Sequence, residues 1–166
     1  MRIDLPAETQ ADIGVIGLAV MGQNLVLNLT DHDFRVAVFN RSPGRTKDFE
    51  QGDPATRAVI PSYDIASFVA SIARPRTILI MIKAGSPVDD QIDVLLPLMD
   101  EGDVIIDGGN SLFTDTQRRY ERLLGTGIAY VGAGISGGED GARHGPSIMP
   151  GGDENAWSVI RNAITA

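Results

Sequence analysis

The sequence contains no cysteine, which excludes disulfide bonds and thiolate metal sites. It also lacks a long hydrophobic run, because none reaches the roughly 18 residues that a membrane-spanning helix needs. Positive charge is scarce, with 14 lysines and arginines against 22 acidic residues, and the formal net charge of −8 argues against nucleic acid as the main partner. The two histidines, His32 and His144, are not at metal-ligand spacing, and we expect both at the surface.

The N-terminal residues 1–10 are polar and lack the apolar stretch of a signal peptide, so we predict a loose leader there. The remainder, residues 11–166, is long enough for one domain with a real core, and its 43% hydrophobic content is ordinary for a globular protein. These properties favour a cytoplasmic enzyme, or part of one, with neither a membrane nor a nucleic acid as partner.

One stretch, Asp12–Gly22, runs from a short apolar strand into a glycine turn, and an amphipathic helix follows. Its pattern, Gly17-x-Ala19-x-x-Gly22, is close to the G-x-G-x-x-G fingerprint of dinucleotide-binding folds. Such a turn presents backbone N–H groups and a helix N-terminus to a pyrophosphate. We predict that Gly17 makes the turn, that Gly22 lets the helix pack closely, and that the Ala19 methyl keeps the pyrophosphate slightly further away. The alternative is a turn that binds nothing.

Strand-like and helix-like segments alternate along the chain with short links. We predict strands at 12–16, 35–39, 59–60, 77–82, 103–107 and 128–131, and helices at 21–30, 45–51, 63–72, 86–99, 115–124 and 154–164. This alternation predicts an α/β fold, a single Rossmann-like domain with a doubly wound, mostly parallel sheet. Because the chain stops directly after a helix, we expect it to be a piece of a longer protein.

The end of the second predicted strand decides the type of cofactor. NAD-dependent enzymes usually place an acid there, ~20 residues after the glycines, to bind the ribose 2′-hydroxyl. Here Asn40 stands 23 positions after the first glycine of the turn, and Arg41 and Ser42 follow. An amide, a guanidinium and a hydroxyl suit a 2′-phosphate, and Arg45 and Lys47 add positive charge. We therefore predict NADP, with a solvated basic turn as the alternative.

Two more segments follow predicted strands, at the ends where open α/β sheets bind ligands. Lys83 follows the apolar run 77–82; its backbone is expected to line the adenosine or ribose, and its ammonium group to be a surface charge. Asp107-Gly-Gly-Asn-Ser111 contains two glycines that permit a tight turn, and Asn110 can both donate and accept hydrogen bonds. We predict that Asn110 contacts the nicotinamide end and the substrate; the alternative is a glycine turn that caps a helix.

The run Gly132–Gly152 is the richest in glycine, and we interpret it as a loop that lets backbone approach a ligand closely. Within it, Ser136 and the N–H groups of Gly137 and Gly138 are predicted to bind a carboxylate or hydroxyl. A purely structural loop is the alternative.

Six motifs together closely resemble the N-terminal domain of the 6-phosphogluconate dehydrogenase family, the decarboxylating enzymes, over about residues 11–166. They are Gly17-Leu-Ala-Val-Met-Gly-Gln-Asn24, Phe39-Asn-Arg-Ser42, Lys83-Ala-Gly85, Asp107-Gly-Gly-Asn-Ser111, Ser136-Gly-Gly-Glu-Asp-Gly-Ala-Arg143 and Gly145-Pro-Ser-Ile-Met-Pro-Gly-Gly152. The last two separate this family from the wider β-hydroxyacid dehydrogenase group, which shares the glycine turn. An alanine at position 19 is normal for the family.

The resemblance implies a set of binding residues. NADP would be bound by Gly17, Leu18, Ala19, Val20, Met21, Gly22, Asn40, Arg41, Ser42, Ile82, Lys83, Ala84 and Asn110. The substrate would be bound by Asn110, Ser136, Gly137 and Gly138.

The resemblance also implies an oxidoreductase of the pentose phosphate pathway that converts 6-phosphogluconate to ribulose 5-phosphate and CO2. Oxidation at the 3-hydroxyl places a ketone β to the carboxylate, and that ketone accepts the electrons of the breaking carbon–carbon bond. In this family a second, all-helical domain supplies the acid–base lysine and glutamate, most of the phosphate site and the homodimer interface. Its Lys-x-x-x-His-Asn-x-x-Glu-Tyr stretch does not occur in these 166 residues, so we expect no catalytic residue among them. The alternatives are a 3-hydroxy acid dehydrogenase of the wider group and an NADP-binding module without chemistry.

Overall fold

The computed structural model describes residues 10–52 and 58–166, so the leader predicted at residues 1–10 lies, except for Gln10, outside the described residues. The strands are β1 (Ile13–Ile16), β2 (Val36–Phe39), β3 (Val59–Ser62), β4 (Thr77–Ile80), β5 (Val104–Asp107), β6 (Ala129–Ser136) and β7 (Ser147–Gly152). The helices are α1 (Val20–Asp31), α2 (Pro43–Gly52), α3 (Ile65–Ala70), α4 (Ser86–Leu95), α5 (Phe113–Leu123), α6 (Gly138–His144) and α7 (Trp157–Ile164). Two 3-10 turns, Leu96–Leu98 and Glu154–Ala156, follow α4 and precede α7.

All of these strands form one sheet in the order β3-β2-β1-β4-β5-β6-β7. The first six strands in the sequence run parallel to their neighbours, and β7 runs antiparallel to β6. Strands β2 and β3 extend the sheet from β1 toward one edge, and β5, β6 and β7 extend it from β4 toward the other edge. The gap between β1 and β4 is therefore a topological switch point, where the carboxyl ends of strands bind ligands in open α/β sheets. The predicted Rossmann-like, mostly parallel sheet is confirmed.

Helices cover both faces of the sheet. Strands β1, β4 and β5 are buried along their whole length, as continuous apolar runs predict for strands covered on both sides. Successive residues of β4 enter different cores: Leu79 packs with residues of α1, α2 and α7, whereas Ile78 and Ile80 pack with residues of α3 and α4. Within the described ranges, no helix is both long and apolar enough to cross a membrane.

The glycine-rich run is not the loop that the sequence analysis predicted. Strand β6 continues to Ser136 instead of ending at residue 131, and both α6 and β7 follow within the same run. Gly132 and Gly134 lie inside β6, where a β-carbon would collide with Thr116 or come within 3.2 Å of the Met149 side chain, respectively. These two glycines therefore make room for neighbouring side chains in a regular strand.

Helix α4 is also shorter than predicted. It ends at Leu95 and tightens into the 3-10 turn, whereas the prediction extended to residue 99. Pro97 explains the difference, because proline has no N–H to continue the helical hydrogen bonds and its ring clashes with the carbonyl one turn earlier. Pro87, by contrast, lies in the first turn of α4, where its missing N–H costs nothing, as predicted.

Candidate functional site

The glycine turn joins β1 to α1 at the switch point. Gly17 has φ +100°, a left-handed conformation that glycine adopts without strain, and a β-carbon there would collide with the backbone carbonyl of Met81. The Gly17 N–H donates to the Phe39 carbonyl at 2.9 Å, and the Met81 N–H donates to the Ile16 carbonyl at 2.7 Å. The turn is therefore fastened to the ends of β2 and β4 on either side.

Gly22 lies in the first turn of α1, directly against the glycine turn. A β-carbon on Gly22 would overlap the carbonyl oxygen of Gly17 and would lie 3.5 Å from Cβ of Met81. The close approach predicted for Gly22 is thus to the backbone of the turn itself, and any side chain there would push α1 away from it.

The N-terminus of α1 offers backbone donors to a ligand. Ala19, the N-cap residue, is extended, no side chain caps the helix, and the first turn contains no acidic residue. The Gln23 N–H donates to the Ala19 carbonyl at 2.9 Å, so helix geometry leaves the N–H groups of Val20, Met21 and Gly22 without an acceptor inside the helix. Leu18 is fully buried, whereas Val20 is 54% exposed. An anion would complete this helix end.

Asn40 connects the end of β2 to the glycine turn. Its side-chain oxygen accepts a hydrogen bond from the Leu18 N–H at 3.0 Å, and its side-chain NH2 donates to the Ser42 carbonyl at 3.2 Å. The side-chain oxygen of Asn40 therefore holds the glycine turn, and one of its amide protons holds Ser42. Arg41 and Ser42 are exposed at the same edge of the sheet, and so are Arg45 and Lys47 of α2.

The segment after β4, Ile82–Ala84, lies between the glycine turn and the turn after β5. The Ile82 side chain is 2.9 Å from the place where Gly17 would carry a β-carbon, and the Ile82 carbonyl oxygen is 2.8 Å from the equivalent place at Gly109. Lys83 is exposed.

Asn110 joins the turn after β5 to strand β6. Its φ of +55° is left-handed, its side-chain NH2 donates to the Ile135 carbonyl at 3.0 Å, and its side-chain oxygen accepts from the Ile135 N–H at 2.8 Å. Ser136 follows at once and is exposed, and Gly137 and Gly138 have φ of +133° and +62°. The structure therefore places Asn110 beside the segment with which it was predicted to share the substrate.

A buried arginine beneath these loops was missed by sequence reasoning. Arg119 of α5 is 0% exposed. Its guanidinium donates to both carboxylate oxygens of Asp89 at 2.9 Å, to Asp107 at 3.2 Å, to the Ser111 hydroxyl at 3.0 Å and to the Gly85 carbonyl at 2.9 Å. The sequence offers one signal, the acidic Asp107 at the end of β5, but nothing in the polar pattern of α5 marks this arginine among its neighbours.

Neighbouring charges shift the pKa values of two groups in this cluster, Asp89 and Tyr130. The Arg119 guanidinium, with Arg118 beside it, holds the pKa of Asp89 well below its ordinary range. Burial and the neighbouring Asp107 carboxylate raise the pKa of Tyr130, whose hydroxyl donates to Asp107 at 2.8 Å. Tyr130 is therefore neutral at physiological pH and serves as a hydrogen-bond donor.

Both histidines lie at the surface, as predicted. His32 is hydrogen-bonded through Nδ1 to the Asn28 carbonyl, and His144 contacts Asp140 one turn earlier in α6. In the part of the chain that the structure describes, no group of three or more histidine or acidic side chains is arranged to hold a metal ion.

Sheet, switch point, glycine turn and uncapped helix together define a dinucleotide-binding domain of the Rossmann type. A family profile described as the NAD binding domain of 6-phosphogluconate dehydrogenase matches residues 12–166. The chain therefore belongs to the family of NAD-binding domains of 6-phosphogluconate dehydrogenase.

Known relatives agree with this assignment. The decarboxylating 6-phosphogluconate dehydrogenase of Chlamydia pneumoniae is 56% identical over 151 residues, which cover 91% of this chain and 32% of that protein. A solved Plasmodium falciparum 6-phosphogluconate dehydrogenase, described with its cofactor NADP+ and its substrate 6-phosphogluconate, matches with TM-score 0.86 and 38% identity over 92% of this chain and 33% of that one. The chain thus spans about a third of the length of these relatives.

The wider hydroxy acid dehydrogenase group is more distant. A 3-hydroxyisobutyrate dehydrogenase of Salmonella typhimurium matches with TM-score 0.77 but only 17% identity, over 93% of this chain and 52% of that one. That similarity shows a shared fold alone.

Proposed function

We propose that this chain binds NADP, as the cofactor domain of a 6-phosphogluconate dehydrogenase. The observation that carries the proposal is the uncapped first turn of α1, which packs on Gly17, while the preceding Leu18 is bonded to Asn40, the residue before the exposed Arg41. The pyrophosphate would accept hydrogen bonds from the free N–H groups of Val20 and Met21. The space next to the turn suits this group because Gly17 and Gly22 leave no side chain in the way.

The 2′-phosphate of NADP would lie on Arg41 and Ser42. No acid stands at the end of β2, and a guanidinium can bind a phosphate through two parallel hydrogen bonds. Asn40 acts mainly through the glycine turn, because its oxygen is already bonded to Leu18 and its NH2 group to Ser42. One amide proton of Asn40 remains for the phosphate.

The remaining binding residues would line the nicotinamide end and the substrate. We place the backbone of Ile82–Ala84 at the ribose on the nicotinamide side and not along the adenosine, since this segment lies between the two glycine-containing turns. Asn110, Ser136 and the N–H groups of Gly137 and Gly138 would form one wall of the substrate site. Asn110 retains one amide proton and one lone pair beyond its bonds to Ile135.

For the complete protein we propose the oxidation of 6-phosphogluconate at its 3-hydroxyl, followed by loss of CO2 to give ribulose 5-phosphate. NADP when bound accepts the hydride, and this chain orients the cofactor and one side of the substrate. The proton-transfer groups would come from outside these 166 residues. We also propose a homodimer and a cytoplasmic location.

Calorimetric titration of the purified chain with NADP and with NAD tests the cofactor assignment. We expect NADP to bind at least about tenfold more tightly, because charge-assisted hydrogen bonds contribute roughly 1.5–3 kcal/mol each. Equal affinities would refute the role given to Arg41 and Ser42. For the complete protein, NADPH formation from 6-phosphogluconate without CO2 release would favour a 3-hydroxy acid dehydrogenase instead.

A further inference from the structure

We propose that Arg119 is a positioning residue that fixes the two loops at the nicotinamide end of the site, and through them sets the affinity for NADP. The inference rests on the proposed binding of NADP. It concerns a residue that touches neither the glycine turn nor the 2′-phosphate position, and that acts only through other residues.

The first step is the connection between the two loops. Arg119 donates to the Gly85 carbonyl and to Asp89, which follow β4, and also to Asp107 and Ser111, which belong to the turn after β5. One planar guanidinium with 0% exposure therefore sets the distance between the two loops. A rigid fork of donors suits such a role, because all of its bonds have fixed directions.

The second step leads from Asp107 to Asn110. One Asp107 oxygen accepts from the Gly109 N–H at 3.0 Å. The other accepts from Ser111 at 2.6 Å and from Tyr130 at 2.8 Å, in addition to Arg119. Asp107 therefore holds the residues on both sides of Asn110.

The third step leads from the turn to the ligand. Asn110 is bonded to the backbone of Ile135, the residue before Ser136. Gly109 packs so closely on the segment after β4 that a β-carbon would lie 2.8 Å from the Ile82 carbonyl oxygen. Loss of the Arg119 fork would therefore let Asn110 and the Ile82–Ala84 segment shift relative to each other. Within the described residues, the hydrogen bonds of Arg119 reach neither the glycine turn nor the end of β2.

Because the hydrogen bonds of Arg119 lie at the nicotinamide end of the site and not at the 2′-phosphate end, two ligands can test the proposal. The variant Arg119→Lys keeps the buried positive charge but cannot bind Asp89 through two bonds and also reach the other partners. We expect the Kd for NADP to rise about tenfold, the size of one charge-assisted hydrogen bond. Adenosine 2′,5′-bisphosphate, which has the 2′-phosphate but lacks the nicotinamide half, should bind the variant as tightly as it binds the unmodified chain. A general loss of stability would not separate the two ligands in this way.

Arg76→Lys is the matched control. Arg76 is 6% exposed and is held by Asp100 and Asp103 at 2.8 Å and by the Val69 carbonyl at 3.0 Å, but it precedes β4 and so lies at the opposite end of the same strands. We expect Arg76→Lys to lower stability and to leave the affinity of the folded protein for both ligands unchanged.

A milder variant serves if Arg119→Lys does not fold. Tyr130→Phe removes only the hydroxyl that donates to Asp107, and it should weaken NADP binding in the same direction by a smaller factor. Chemical unfolding with urea establishes that each variant is folded before it is titrated.

The outcomes separate the two proposals. If both ligands lose affinity equally, or if neither does while the unmodified chain binds NADP, then Arg119 is structural only and the positioning role is overturned. If the unmodified chain binds neither ligand, the proposed NADP site itself is wrong, and the role of Arg119 falls with it.

Discussion

Arg76 and Arg119 are two buried arginines at opposite ends of strands β4 and β5. Both are held by a pair of aspartates and a backbone carbonyl, with Asp100 and Asp103 at the amino end, and Asp89 and Asp107 at the carboxyl end. Their surroundings differ. Asp103 accepts from the backbone N–H groups at 76 and 100 and so joins the loop before β4 to the loop before β5. The Arg119 cluster instead supports a turn that contains two glycines and a left-handed Asn110.

The difference shows that a buried ion pair does not by itself mark a ligand site. Removing one partner from such a pair is destabilising wherever it lies, since it leaves a buried charge without compensation. What distinguishes the carboxyl end is the segment that the cluster supports, the Asn110 turn, whose side chain is bonded to Ile135 beside Ser136. We therefore expect substitutions at the amino end to change stability alone, and those at the carboxyl end to change ligand binding as well.

The largest expected effect concerns chemistry at the carboxyl end. The purified 166-residue chain should bind NADP yet show no measurable oxidation of 6-phosphogluconate, followed as NADPH absorbance. General acid–base catalysis contributes about 10²–10⁴-fold, and His32 and His144 are exposed and bonded within their own helices. The complete protein is the positive control. Turnover of the chain at a comparable rate would place the base within these residues and contradict the assignment of roles.

The second prediction compares two glycine-to-valine variants. Gly22→Val should weaken NADP binding by about a hundredfold or more, equivalent to roughly 2.7 kcal/mol, because its side chain would overlap the Gly17 carbonyl. Gly102→Val, at the amino end, places valine at φ +91° and should cost stability, but the folded fraction should bind NADP normally. Titration and circular dichroism measure both. Normal binding by folded Gly22→Val would refute the placement of the glycine turn.

The third prediction concerns the choice between the two cofactors. Arg41→Asp should reverse the preference, so that NAD binds more tightly than NADP, because the carboxylate repels the 2′-phosphate and can accept from a 2′-hydroxyl. Arg161→Asp, on the exposed surface of α7, makes the same change in net charge and should leave the preference as it is. A similar shift in both variants would point to net charge instead of a site at the end of β2.

The smallest effect is a pH dependence of stability at the carboxyl end. The pKa of Asp89 is lowered from 3.8 by Arg119, so its contribution to stability is present above pH 3.8 and is lost as the pH falls below it. Asp89→Asn should lower the free energy of unfolding by about 1.5 kcal/mol at neutral pH, and the difference should shrink in acid. Asp90→Asn, at an exposed neighbour in α4, is the control. If the difference in the free energy of unfolding between Asp89→Asn and the unmodified chain stayed constant down to pH 2, this contribution of Asp89 would be ruled out.

The sequence predicted the parallel core well, because β1, β4 and the first three residues of β5 are mostly apolar, as expected of strands that helices cover on both faces. It failed over the glycine-rich run, where packing partners decide the structure. Gly132 and Gly134 are strand residues because Thr116 and Met149 occupy the space of their side chains, and those contacts join parts of the chain that no local pattern relates.

The candidate site was predictable where its residues are consecutive and not where they converge from a distance. The sequence predicted that the glycine turn, Asn40 and Asn110 follow the ends of strands, although it did not predict the internal hydrogen bonds of the two asparagines. Arg119 was hidden because its partners lie 8 to 34 positions away, and because its burial depends on two loops closing over it.

The pairing of Asn110 with Ile135 has a consequence for hydrogen exchange. Strand β5 ends opposite Gly132, so the β6 edge beyond that point has no neighbouring strand on this side, and the Asn110 side chain takes the place of one peptide group there. The Ile135 amide proton should therefore exchange slowly with solvent only while the Asn110 side chain stays in place. Its exchange rate reports the opening of the Asn110 turn at a single backbone atom, and a ligand that bridges Asn110 and Ser136 would slow that exchange further.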